Sequence, residues 1–152
     1  VHVGRVQIGG GAPVSVQSMC TTKTDDPAST LVQIRELAEA GCEIVRVAIP
    51  SASVLDGFQE ICAESPLPVV ADIHFDHRLA IEAARRGASA LRLNPGNIGA
   101  WDRVDACIDA AGEASIADLD TTNVNGTSKL ARKLGGSRVH DVIQSRSGKC
   151  RS

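Results

Sequence analysis

Two short segments carry the residues best suited to chemistry: ADIHFDHR, from Ala71 to Arg78, and LRLNPGN, from Leu91 to Asn97. Each opens as an apolar run and closes in polar or ionisable side chains. The first supplies Asp72 and His74, the second Arg92 and Asn94. In an α/β barrel the carboxyl ends of the parallel strands face one shared mouth, where such folds do their chemistry. An acid, an imidazole, a guanidinium and an amide gathered there make an anion site able to move a proton.

Spacing sharpens that reading. Asp72 and His74 are two residues apart, so a strand puts them on one face. They suit a proton donor and the neighbour that orients it, or two hydrogen-bonding groups on a polar ligand; a histidine satisfied within its own loop is the plainer alternative. Arg46 stands inside the apolar run EIVRVAI. A barrel strand is buried on both faces, so this arginine needs either a ligand or an ion pair, with Asp72 as the candidate partner. Arg92 occupies the same kind of position, and two guanidiniums in one mouth point to a phosphate ligand. Asp72 and His74 alone are not expected to make a metal site. His2 and His77 read as surface residues.

The elements that must position these residues alternate. Residues 1–16 read as a hairpin turning at Gly9-Gly10-Gly11 and leading into a strand over residues 13–17. Asp26-Pro27 opens a helix with the stripe Leu31, Ile34, Leu37 and Ala38, stopped by Gly41. A strand over 43–49 follows, then a helix capped by Ser53 and carrying Val54, Phe58, Ile61 and Cys62. A strand over 69–73, a helix over 76–86 and a strand over 90–93 come next. The turn Asn94-Pro95-Gly96-Asn97 then leads to a helix over 101–111. Continuous apolar strands between amphipathic helices mean a parallel sheet. With no GxGxxG after the first strand and polar residues at strand ends, the pattern favours a partial (β/α)8 TIM-like barrel of about four βα units.

Composition sets the bounds. The chain has 152 residues, 43% of them apolar but only 2% aromatic, so aliphatic side chains and alanine must fill the core. No apolar run reaches the roughly 18 residues of a membrane span, and nothing points to nucleic acid. Cys20, Cys42, Cys62, Cys107 and Cys150 form no CxxC pair, which favours reduced thiols in a cytoplasmic protein. Most read as small buried hydrophobes, while Cys20, after a strand, could face the mouth. The first residue is Val, so the start reads as trimmed. Residues 1–116 carry nine basic and fifteen acidic side chains, a balance of −6; residues 117–152 carry seven and three, a balance of +4. At that break the strand pattern fails, and 117–152 is expected to be a divergent, poorly ordered tail behind a domain of residues 1–116.

Four motifs in register add a resemblance: VSVQSM (Val14 to Met19), EIVRVAIP (Glu43 to Pro50), ADIHFD (Ala71 to Asp76) and LRLNPGNIG (Leu91 to Gly99). Over residues 1–116 the chain resembles the 4-hydroxy-3-methylbut-2-enyl diphosphate synthases of the non-mevalonate isoprenoid pathway. The resemblance implies reductive opening of 2-C-methyl-D-erythritol 2,4-cyclodiphosphate, with two electrons from ferredoxin or flavodoxin. It implies diphosphate contacts from Arg46 and Arg92, and a substrate lining from Asp72, His74 and Asn94. Asn125, in NVNGTS, echoes a family asparagine, while Thr121 stands where the family places another arginine. A [4Fe–4S] cluster is implied for the full-length family, on cysteines of a later domain that this chain does not match. The resemblance also implies a homodimer at full length and an N-terminal fragment here, inactive alone. A phosphate-binding half-barrel without redox activity is the alternative.

Overall fold

The computed structural model describes residues 1–93, 95–98 and 101–120. The chain opens with a small antiparallel hairpin, β1 (His2–Val3) and β2 (Val6–Gln7), in which His2 faces Gln7 and Val3 faces Val6. A parallel sheet follows: β3 (Gln17–Met19), β4 (Ile44–Ala48), β5 (Val69–Ile73), β6 (Ala90–Leu93) and β7 (Ala117–Asp120). Between them run α1 (Pro27–Glu39), α2 (Leu55–Glu64) behind a short 3-10 turn at Ala52–Val54, α3 (His77–Arg85), α4 (Pro95–Ile98) and α5 (Trp101–Glu113). The strand order is β3-β4-β5-β6-β7, strictly sequential. A doubly wound sheet reverses direction at a switch point, whereas a (β/α) barrel adds each strand beside the last. The observed order is that of a barrel wall.

Local signals explain the elements. The Asp26 carboxylate accepts from the Ser29 amide at 3.1 Å and Pro27 takes the first helical position, which starts α1. The Asp76 carboxylate accepts from the Arg78 amide at 3.0 Å and starts α3 in the same way. The pleat then divides the sheet. Val45, Val47, Ile49, Val69, Ala71, Ile73, Leu91 and Leu93 point to the helices and pack with Ile34, Phe58, Ile61, Leu79, Ala83 and Cys107 in the main core. At Gly57 a Cβ would sit 2.5 Å from the Thr24 carbonyl oxygen, so only glycine lets α2 approach the β3–α1 loop this closely.

The opposite face carries the alternate residues. At the amino ends of the strands Ile44, Val70 and Ala90 form a second cluster with Val3, and Val6 and Ile8 pack against it. The hairpin therefore plugs the lower end of the inner face.

Four expectations are corrected. The hairpin turns at Gly4-Arg5, not at the glycine triplet: Gly4 has φ +54°, and a Cβ there would come within 3.0 Å of the Pro68 ring. The first sheet strand is Gln17–Met19 rather than 13–17, because pairing with Ile44–Arg46 fixes its position. The strand pattern does not stop at 116, since Ala117–Asp120 pairs in parallel with Ala90–Leu93. Ladder pairing to β6 makes a strand of ADLD, a segment with no β-branched residue of its own. Residues 121–152 lie outside the described residues. Where the sequence suggested a turn after Asn94, α4 forms a single helical turn.

Candidate functional site

Register brings the expected residues together. Met19 stands beside Arg46, Ala48 beside Asp72, and Asp72 beside Arg92. Cross-strand partners in a sheet share a face, and residues two apart on one strand do too. Arg46, Asp72 and Arg92 thus rise from the inner face, just above the apolar layer of Ile44, Val70 and Ala90.

The Asp72 carboxylate is the hub. Its Oδ2 accepts from Arg46 Nη2 at 2.5 Å and its Oδ1 from Arg92 Nη1 at 2.5 Å. Its side chain is 1% exposed, against 20% for each arginine. Burial pushes the Asp72 carboxyl pKa up, but the hydrogen bonds and charges of Arg46 and Arg92 outweigh it and hold the pKa below the usual value. The carboxylate is therefore ionised at neutral pH. Of the two ways to satisfy Arg46, the ion pair with Asp72 is present, and a ligand remains compatible with it.

Each arginine gives Asp72 a single terminal nitrogen. The Nε atoms of both are buried and have no hydrogen-bond partner among the described residues. A buried N–H donor without an acceptor costs about 1–3 kcal/mol. Both belong to the arginines of one ion-pair cluster.

His74 follows β5 at the rim, with its side chain 43% exposed and Nε2 3.6 Å from Asp72 Oδ1. That separation exceeds hydrogen-bond length but pairs the two groups electrostatically once the ring is protonated. Asn94 and Asn125 lie outside the described residues. His77 Nδ1 lies 3.8 Å from the Asp76 carboxylate at the start of α3. Cys20 is buried, its amide donating to the Arg46 carbonyl at 2.9 Å. Burial, then the neighbouring Cys42, pushes its thiol pKa up to about 11, which leaves no thiolate at neutral pH.

Two neighbours escaped the sequence reading. Met19 places its sulfur 3.9 Å from Arg46 Nη2. Thr24 is buried and donates from Oγ1 to the Ala48 carbonyl at 2.6 Å, tying the β3–α1 loop to the top of β4. The register of β3 on β4 would have found the first; nothing in the local sequence marks the second.

A sequential parallel sheet with helices on one face and paired cations on the other defines a domain of the (β/α)-barrel class. The chain belongs to the GcpE TIM-barrel domain family, which matches residues 1–143. That match runs past residue 116, the end of the stretch over which the four motifs carry the resemblance. Among similar proteins is the 4-hydroxy-3-methylbut-2-en-1-yl diphosphate synthase (flavodoxin) of Maridesulfovibrio salexigens, 48% identical over 146 residues, covering 95% of this chain and 41% of the relative. The protein of the same name from Idiomarina loihiensis is 44% identical over 146 residues, covering 95% and 39%. That from Marinomonas sp. is 43% identical over 143 residues, covering 94% and 39%. The chain thus spans about two fifths of the length of these curated relatives.

Proposed function

We propose that this chain forms part of the substrate-binding barrel of a 4-hydroxy-3-methylbut-2-en-1-yl diphosphate synthase. In this reading the full-length protein reduces 2-C-methyl-D-erythritol 2,4-cyclodiphosphate to the linear allylic diphosphate, with flavodoxin or ferredoxin as the electron donor. The observation that carries it is the inner-face cluster: two guanidiniums held on one buried carboxylate, with two unpartnered N–H groups, suit a diphosphate. The similar proteins named above support the particular reaction.

Each residue then has a task. Arg46 and Arg92 bind phosphate oxygens and offset their charge. His74, exposed at the rim and near the Asp72 carboxylate, supplies the proton-transfer group. Asn94 and Asn125 add amide contacts to the polar part of the substrate.

The family implies an iron–sulfur cluster as the redox centre. The residues described here do not fit one. Cys20, Cys42 and Cys107 are buried and Cys62 half-buried, and no three His, Cys, Asp or Glu side chains among the described residues are grouped to hold a metal.

The test is calorimetric titration of the full-length protein with the cyclodiphosphate, in wild type and Arg92→Ala. Saturable binding that collapses in the variant, together with reductive turnover, supports the proposal. Binding without turnover in the presence of reduced flavodoxin favours a phosphate-binding barrel without redox activity. Unchanged binding in Arg92→Ala overturns the site.

A further inference from the structure

We infer that Asp72 is a positioning residue: its single buried carboxylate holds the Arg46 and Arg92 guanidiniums together, so that both reach one anionic ligand. The inference rests on the phosphate reading of the two arginines and goes beyond it by giving Asp72 a role of its own.

Two guanidiniums side by side repel each other. Arg46 and Arg92 rise from strands on either side of β5, each mostly buried, with Asp72 on the strand between them. One carboxylate divides its oxygens between them, Oδ2 to Arg46 and Oδ1 to Arg92. Each contact is end-on through one terminal nitrogen. A forked pairing would tie both oxygens to one arginine and release the other. The shared arrangement fixes both cations and leaves their remaining N–H groups, including both buried Nε, uncommitted to Asp72. The trio keeps a net positive charge.

The same geometry argues against Asp72 as the group that exchanges a proton with the ligand. The side chain is almost fully enclosed, and both oxygens are engaged by cations. Protonating it would break one of those pairs. His74, not Asp72, is the exposed ionisable group beside the cluster.

Simple charge and positioning predict opposite outcomes. Neutralising a carboxylate beside an anion site strengthens anion binding if only charge counts. If Asp72 positions the arginines, neutralising it weakens binding, because an asparagine presents one acceptor oxygen and turns its amide donors toward the other guanidinium.

The experiment titrates inorganic pyrophosphate into the full-length protein by calorimetry. Arg46→Ala and Arg92→Ala report on the phosphate reading alone: unchanged affinity in both means that reading has failed, and the inference falls with it. With that reading intact, Asp72→Asn is expected to weaken pyrophosphate binding about ten-fold or more. In turnover it should raise KM for the cyclodiphosphate and leave the shape of the kcat pH profile unchanged. In nitrogen-15 spectra the Nε–H signals of both arginines should shift together. Asp72→Glu keeps the charge while displacing the oxygens, and is expected to weaken binding as well. It carries the test if the asparagine variant does not fold. Binding as tight as wild type or tighter in the folded variant, or loss of one limb of the kcat pH profile, overturns the inference.

Discussion

The inner face of the sheet holds two layers two residues apart on the same strands, and they behave as different materials. The lower layer is Ile44, Val70 and Ala90, closed off by Val3 from the hairpin and fully buried. The upper layer is Arg46, Asp72 and Arg92, paired through one carboxylate and open at the rim beside His74. One strand step separates a dry seal from a charged cluster. The backbone is the same in both; what differs is side-chain type and the distance from the plug. A barrel wall can thus place a dry seal and a charged cluster two residues apart on each strand, because the apolar residues keep water out and strengthen the charge interactions beside them.

The comparison breaks most severely if charge is put into the lower layer. Val3→Asp would bury an anion among Ile44, Val70 and Ala90 with no counter-charge in that cluster. A cost of about 3–5 kcal/mol or more is expected, enough to unfold a domain of ordinary stability. Circular dichroism during thermal unfolding checks it, and a melting temperature near wild type would show the seal to be wetter than described.

In the upper layer the expected loss is in binding. Arg92→Ala in the full-length protein should cost about 2–4 kcal/mol of substrate affinity, as for a charge-assisted contact. It also leaves Asp72 Oδ1 without its close partner. Arg92→Lys should not restore affinity, because an ammonium lacks the planar fork. Full recovery in the lysine variant would reduce the arginine to a point charge.

A gentler change sharpens the contrast. Val3→Ala removes two buried methyl groups from the plug, and should cost about 1.5 kcal/mol of stability. Pyrophosphate affinity should stay at the wild-type value. If affinity falls in step with stability, the two layers are mechanically coupled and the division between them is wrong.

Much of this arrangement is legible in the chain. The bounds of β5 and β6 can be read directly, because apolar runs between Pro68 or Gly87 and the polar rim leave little choice. Strand parity places Asp72 and His74 on one face, and the unusual Arg46 within EIVRVAI names its own need for a partner. The sharing of Asp72 between two arginines is not legible, since it depends on the register of three strands and one sequence carries no cross-strand register. The hairpin turn is misread because three consecutive glycines outweigh Gly4-Arg5 by composition, while packing of Gly4 on Pro68 is a long-range contact. Ala117–Asp120 escapes for the opposite reason: its strand character comes from β6 and not from its own residues.

The smallest expected effect is a pH dependence, and its sign follows from Asp72. Burial pushes this carboxyl up from its ordinary value of 3.8, while the hydrogen bonds and charges of Arg46 and Arg92 pull it down and prevail. Because these influences oppose one another, the net contribution is modest. A folded-state pKa below the unfolded one means that the unfolded chain binds the proton more readily in acid. The stabilisation is therefore fully present at neutral pH, starts to fade as pH falls past the unfolded value, and is lost below the folded one. Denaturant unfolding of wild type and Asp72→Asn across pH isolates this group from Asp26 and Asp76, whose carboxyls are also lowered. The stability difference between the two proteins should be constant through the neutral range and should shrink below the ordinary value of 3.8. A difference that widens on acidification would mean that burial wins, that Asp72 takes up its proton more readily in the folded protein, and that the arginine pair does not hold it ionised.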